Sequence, residues 1–296
     1  MKKLILQNRL SPGDILIMSG AIRDLKLAYP NDYLVGIKSP CNEIFFYNPY
    51  VDLNLNDSDK EAEVIDMQYP IIHQSGGTGV HFSDGHRLFL QEKLNKRIPK
   101  TSMRPAIYFS QSELTWVNQL KVYFGYTGKY WIINSGIKND FPLKFYPYYQ
   151  KVVDLLKDKV QFVQVGQTAH KHNLLKNVLD MRGKTNLRQL FTLSYFAEGA
   201  ISAVSLQMVI MQALRKPCVI VAGGREGMRW QAINDHVFLH TNGLLKCCLE
   251  DGCWKNTIKQ CGDRNTDDVA KCMEMISPER IVDAVMSYYE GGRISL

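Results

Sequence analysis

The stretch LILQNRLSPGDILIMSGAIRDLKLAY, residues Leu4 to Tyr29, decides the fold. Leu4-Ile5-Leu6 is an apolar run too short for a helix and bounded by polar residues, which predicts a buried strand. The loop Gln7 to Gly13 follows. Ile15, Ile17, Met18, Ala21, Ile22, Leu25 and Ala28 then recur at helical spacing. A strand that feeds a helix through a glycine-containing turn opens a doubly wound α/β domain, and ligands gather at such turns. Asp14 sits at the join and has two readings. Ser11-Pro12-Gly13-Asp14 has capping-box spacing, so the carboxylate can satisfy the helix N-terminus and its dipole. It can also act as a general base over a ligand crevice. The roles are compatible, because a capping bond would orient the carboxylate.

Strand-like and helix-like segments alternate outward from this unit, which predicts parallel sheets. Tyr33 to Ile37 and Val64 to Met67 read as strands of the first half, with helices expected at His86 to Leu94 and Ser112 to Phe124. Gly125-Tyr126-Thr127-Gly128 breaks the pattern, and a domain boundary is expected there. It restarts with strands at Tyr130 to Asn134, Val160 to Gly166 and Cys218 to Ala222, and a short strand and loop at Gly199 to Ser205. Helices are expected at Tyr146 to Lys157, Arg188 to Leu193, Gln207 to Leu214 and, with Pro278 in its first turn, Ile281 to Tyr289. The 296 residues suit about two domains. Composition is that of an ordinary globular chain, with 45% hydrophobic and 22% charged residues. No apolar run approaches the ~18 residues of a membrane span. Met1-Lys2-Lys3 leads straight into a strand without a signal peptide's apolar segment, so a cytoplasmic protein is expected. The formal charge of +7 favours anionic partners such as nucleotides, phosphorylated glycans or nucleic acid.

Several stretches carry candidate chemistry. Gly223-Gly224-Arg225-Glu226 follows a predicted strand. Glycines there let a ligand approach the backbone, and Arg225 can clamp a phosphate bidentately; the alternative is a tight turn with Arg225 and Glu226 paired. Residues 73 to 86 hold Gly76, Gly77 and Gly79 among His73, His81 and His86. They read as a surface loop or as an acceptor-binding loop contacted through His81 or His86. Lys93, Lys96, Arg97, Lys100 and Arg104 form a basic stretch, a solvated face or a phosphate patch. Five of the seven cysteines fall between Cys247 and Cys272. In a cytosolic chain such crowding points to metal before disulfides. Cys248, Cys253, Cys261 and Cys272 are the expected ligands, with Cys247 as a substitute for Cys248. Four thiolates suit structural zinc or iron and leave no open position for catalysis. Disulfides and free thiols are the alternatives.

Taken together the chain resembles the heptosyltransferase-like glycosyltransferases (glycosyltransferase family nine). Gly13-Asp14-Ile15-Leu16 with Ala21 to Lys26 and Tyr29-Pro30 resembles the opening strand-loop-helix of that family, and Asn48-Pro49-Tyr50-Val51-Asp52 its second landmark. Lys144-Phe145-Tyr146-Pro147 resembles the segment whose lysine contacts the donor diphosphate. Thr185-Asn186-Leu187 and Ala213 to Pro217 fall where donor-side loops should lie. The order and spacing of these segments carry the resemblance.

The resemblance implies an α/β, GT-B-like chain of two Rossmann-like doubly wound parallel-sheet domains facing a central cleft. The acceptor domain would be residues 1–128 and the donor domain 129–276, with a cysteine-rich segment at 247–272. A helix at 277–296 would cross back to the first domain. The implied activity is inverting transfer of a sugar from a nucleotide-activated donor to an acceptor hydroxyl. Asp14 would be the base, and Lys144, Ser202, Ser205, Gly223, Gly224, Arg225, Glu226 and Thr185 would form the donor site. Lys144 and Arg225 would hold the diphosphate, and no catalytic divalent metal is expected. The acceptor could be a glycan, a protein or a hydroxylated base in DNA. One departure stands out: the family carries an Asp-(Ser/Thr)-Gly segment and a histidine facing the donor phosphates, where this chain has Val204-Ser205-Leu206 and Val209. That motivates the alternative of a non-catalytic nucleotide-sugar-binding protein.

Overall fold

A computed structural model of the chain describes residues 1–68, 79–115, 119–136, 142–170, 173–253 and 269–289. The chain divides into two compact units, Met1–Trp116 and Val117–Leu296.

The first unit begins as its opening sequence predicts. Strand β1 (Lys2–Gln7) leads into helix α1 (Pro12–Ala28), followed by β2 (Tyr33–Lys38) and β3 (Glu63–Asp66). The sheet order is β2-β1-β3, all parallel. Gly36 in β2 is required by packing, since a Cβ there would stand 2.5 Å from the Leu55 carbonyl oxygen. Helix α1 is apolar on nearly every side and buried accordingly. Helix α2 (Gly85–Leu94) packs on it, and residues 101–106 cross its outer surface. Small residues make that crossing feasible: a Cβ on Gly20 would lie 3.3 Å from the Arg104 carbonyl oxygen. The Ala106 N–H donates to Ser19 Oγ at 2.7 Å. Arg23 ties the strap down, donating to Thr101 Oγ1, the Ser102 carbonyl and the Arg104 carbonyl.

The helix expected over Ser112 to Phe124 is present in its described parts as two short segments, α3 (Gln111–Leu114) and α4 (Gln119–Phe124). Helix α4 belongs to the second unit, where Leu120 is buried and Gln119 Nε2 donates to the Gln189 carbonyl at 3.0 Å.

The second unit runs β4 (Trp131–Asn134), α5 (Tyr149–Leu156), β5 (Phe162–Gln164), β6 (Val178–Asp180), α6 (Leu187–Phe196) and β7 (Gly199–Ala203). Then follow α7 (Leu206–Leu214), β8 (Cys218–Gly223), α8 (Met228–Gln231), β9 (His236–His240), α9 (Lys271–Glu274) and α10 (Pro278–Tyr289). Its sheet order is β6-β5-β4-β7-β8-β9, parallel throughout. In order of appearance those strands are 3-2-1-4-5-6, the dinucleotide-fold order with its switch point between β4 and β7. Alternate strand residues fill opposite faces. Trp131, Ile133, Phe162, Ile201, Val219 and Val221 share one core cluster with Tyr146, Tyr149, Val152 and Val153. Helix α10 closes that face on α5 and β8, burying Ile281 and Val285 completely. Each such side chain contributes about 1.5–3 kcal/mol of transfer free energy. Tyr289 stacks on Trp131 with centroids 6.1 Å apart.

Candidate functional site

In the first unit, Ser11 caps α1 and its N–H donates to Asp14 Oδ2 at 3.2 Å. The capping box read from the sequence is present, so the Asp14 carboxylate is held at the helix N-terminus while remaining partly exposed. Asn8, fully buried at the end of β1, shapes the preceding turn by accepting the Leu10 N–H at 3.0 Å.

His86, read as a possible acceptor contact, is buried against α1. Burial pushes its imidazole down to about 4, partly opposed by the nearby Asp14 main chain. The structure thus joins Asp14 and His86, with a neutral ring at pH 7. His81 caps a short 3-10 turn, its Nδ1 accepting the Ser83 N–H at 3.2 Å. His73, Gly76 and Gly77 lie outside the described residues. The basic stretch is partly spent within the unit. Lys100 pairs with Asp84 at 2.9 Å, and Lys93 and Lys96 lie over the rings of Phe89 and Tyr29.

In the second unit most of the predicted donor residues gather at the C-terminal edge of the sheet, by the switch point. Lys144 ends a 3-10 turn after β4. Its ammonium donates to the Val204 carbonyl at 2.9 Å, just past β7, and lies 2.7 Å from Glu226 Oε1, past β8. Arg225 Nε stands 3.4 Å from the same oxygen. The Arg225 and Glu226 side chains are 5% and 2% exposed, against 23% for Lys144, so the lysine is the accessible member.

Ser202 Oγ donates to the Ala203 carbonyl and shares a 2.8 Å hydrogen bond with Ser205 Oγ. Ser205 begins α7 without a side-chain cap, its hydroxyl being engaged with Ser202. Val209, in the place of the histidine that the resemblance leads one to expect, is buried within α7. Thr185 is half-buried in the loop before α6, where Asn186 is the cap, accepting the Gln189 N–H at 2.9 Å.

Gly223 and Gly224 have sulfur neighbours. Gly223 has φ +63°, and a Cβ there would meet Met273 Sδ at 2.4 Å. A Cβ on Gly224 would meet Cys248 Sγ at 2.4 Å and Cys272 Cβ at 3.3 Å. Gly252, at φ +77°, permits the matching approach, because a Cβ there would lie 2.4 Å from the Arg225 carbonyl oxygen. The Cys253 N–H donates to the Gly224 carbonyl at 3.1 Å. The cysteine-bearing segment is therefore packed directly onto the turn that carries Arg225 and Glu226.

Cys248, Cys253 and Cys272 are buried, and Cys247 Sγ lies 3.8 Å from Cys248 Sγ. Burial first, then the Cys247 hydrogen bond and the nearby thiols, push Cys248 well up. Among the described residues no cysteine is in a disulfide, and no three His, Cys, Asp or Glu side chains take a metal-holding arrangement. Cys261 lies outside them. In kind, the gathered sulfur donors fit a thiophilic metal.

Sequence reasoning missed the Asp14–His86 approach, the Val204 carbonyl and the sulfur contacts of the glycines. The partners are far apart in the chain, and no local spacing signals them.

No family model matches the chain, and no curated protein matches it. Solved structures do match. A glycosyl transferase of family 9 from Veillonella parvula DSM 2008 superposes with a TM-score of 0.69 at 14% identity, covering 98% of this chain and 97% of that one. The iron-containing dodecameric glycosyltransferase TibC from enterotoxigenic E. coli H10407 gives 0.70 at 13% identity, with coverages of 98% and 76%. The E. coli heptosyltransferase WaaC, solved with ADP, gives 0.59 at 12% identity, with coverages of 98% and 99%. At these identities the likeness is one of fold, the GT-B-like α/β architecture that the sequence resemblance implies.

Proposed function

We propose that the chain is an inverting glycosyltransferase that takes its sugar from a nucleotide-activated donor. The observation that carries this reading is the placement of Lys144 and Arg225 at the switch point of a 3-2-1-4-5-6 sheet, where such folds bind nucleotides. The fold likeness supports it. TibC has been solved in complex with ADP-D-β-D-heptose and WaaC with ADP, so adenosine-diphosphate sugars are the first donors to try.

The chemistry assigns one role to each group. An acceptor hydroxyl oxygen attacks the anomeric carbon while Asp14 takes its proton. The bond from that carbon to the diphosphate oxygen breaks, and the nucleoside diphosphate leaves with the electron pair. Negative charge accumulates on the departing oxygens, where Lys144, Arg225 and the main-chain amides opening α7 stabilise it. His86 acts through Asp14, fixing the main chain that bears the base. A zinc or iron ion held by Cys248, Cys253, Cys261 and Cys272 would supply a structural cross-link; Cys248, Cys253 and Cys272 themselves pack against the turn of Arg225 and Glu226.

The test is turnover of a panel of nucleotide sugars, including ADP-heptose, by the wild type and Asp14→Asn. Transfer or slow hydrolysis lost in the variant supports the reading, and equal turnover removes Asp14 as base. A second reading, a binding-only descendant, is favoured by Val209 and by the engagement of Lys144 with Glu226. Donor binding without turnover would select it.

A further inference from the structure

A carboxylate is an odd neighbour for a diphosphate. Glu226 is nonetheless buried between Lys144 and Arg225, with Oε1 close to both cations. Its Oε2 has no hydrogen-bond partner among the described residues. Stability alone does not account for a carboxylate placed so, since buried ion pairs roughly break even against well-packed apolar groups. The Lys144 ammonium has three donors. Two are spent on Glu226 and the Val204 carbonyl, and the side chain keeps an exposed portion through which an anion can reach it. Without Glu226 the cluster would carry two positive charges; with it, one.

We infer that Glu226 is a built-in counter-anion of the donor site, holding Lys144 in the empty state and competing with the incoming diphosphate for it. This deepens the donor-site reading and rests on it. Glu226 thereby sets the affinity of the site: it weakens the grip on the diphosphate and speeds release of the nucleoside diphosphate product. The turn carrying it is braced from outside by Cys248, Cys253 and Gly252, and Asn242 Nδ2 donates to the Glu226 carbonyl at 3.2 Å. The carboxylate therefore has a fixed base from which to compete.

Calorimetric titration of the full chain with inorganic pyrophosphate and with ADP tests this. Glu226→Gln should bind pyrophosphate about tenfold more tightly than the wild type and with a steeper salt dependence, since one opposing charge near the ligand is gone. Lys144 should also acylate faster in Glu226→Gln, read by mass spectrometry without any ligand. Should Glu226→Gln fail to fold, Glu226→Asp serves instead. Its shorter side chain draws back from Nζ while keeping the charge, so tightening should be smaller but in the same direction. Binding that is unchanged or weaker in the variants, with wild-type binding intact, overturns the counter-anion role and leaves the donor-site reading standing. If neither wild type nor variants bind pyrophosphate or ADP, the donor-site reading falls and this inference with it.

Discussion

Replacing His86 with glutamine should remove an acid sensitivity of the first unit that the wild type shows between pH 7 and pH 5. The imidazole ordinarily titrates at 6.5, and burial against α1 lowers this to about 4 in the folded chain. Between those values the unfolded chain binds a proton that the folded chain refuses, so stability falls as pH falls. For a single group with these two constants, the loss between pH 7 and pH 5 is about 2 kcal/mol, rising to about 3 kcal/mol at pH 4.

Asp84 does not confuse the window. Burial raises its carboxyl, but Lys100 and Arg87 outweigh this and hold it below 3.8, so its contribution is lost only at more acid pH. Amide hydrogen exchange of β1 and α1, corrected for intrinsic rates, reads the first unit alone. Protection should drop about twentyfold from pH 7 to pH 5 in the wild type. In His86→Gln the drop should largely vanish, whatever the variant's stability at pH 7. An equal drop in both proteins, or an NMR titration of His86 centred near the ordinary 6.5, would refute the burial argument.

Further predictions follow from packing. Gly224→Ala forces a Cβ to 2.4 Å from Cys248 Sγ; it should cost about 1–3 kcal/mol and raise the thiol-reagent reactivity of the buried cysteines. Ile281→Ala, at a fully buried position of α10, should lower the denaturant midpoint of the second unit by an amount equivalent to about 2–5 kcal/mol. Asn186→Ala removes the cap of α6 and should cost about 1 kcal/mol, seen as faster amide exchange in the first turn of that helix. Asp14→Asn should leave donor affinity unchanged while lowering the transfer rate by a factor of about 10²–10⁴.

The parts of the fold written in local pattern were legible. Leu4 to Ala28 combines a short apolar run, a glycine turn and a helical repeat, and it forms β1 and α1 as read. Strands β6 and β9 escaped because they flank the sheet and lack a buried apolar run: Val178–Asp180 is only half-buried, and His236–His240 has histidines at both ends. The single helix read over Ser112 to Phe124 scored its apolar spacing, while Leu114 and Leu120 lie in separate segments of different units. At the candidate donor site the sequence suggested the residue types, and the pairing of Arg225 with Glu226 was one of its readings. That Lys144 would join them was implied by the family resemblance and by no spacing, because it is the sheet order that brings the end of β4 beside the ends of β7 and β8. The glycines after β8 were read as room for a ligand, whereas their neighbours are sulfur side chains from the far end of the chain.

That last contact also constrains the order in which the protein can change over generations. With Cys248 Sγ standing 2.4 Å from where a Gly224 Cβ would be, a side chain gained at position 224 costs stability for as long as the cysteine at 248 is kept. The reverse also applies: once position 224 is filled, regaining the cysteine carries the same cost. The two positions are therefore coupled, so descendants that abandon the cysteine cluster should more often show the loss at 248 before a substitution at 224.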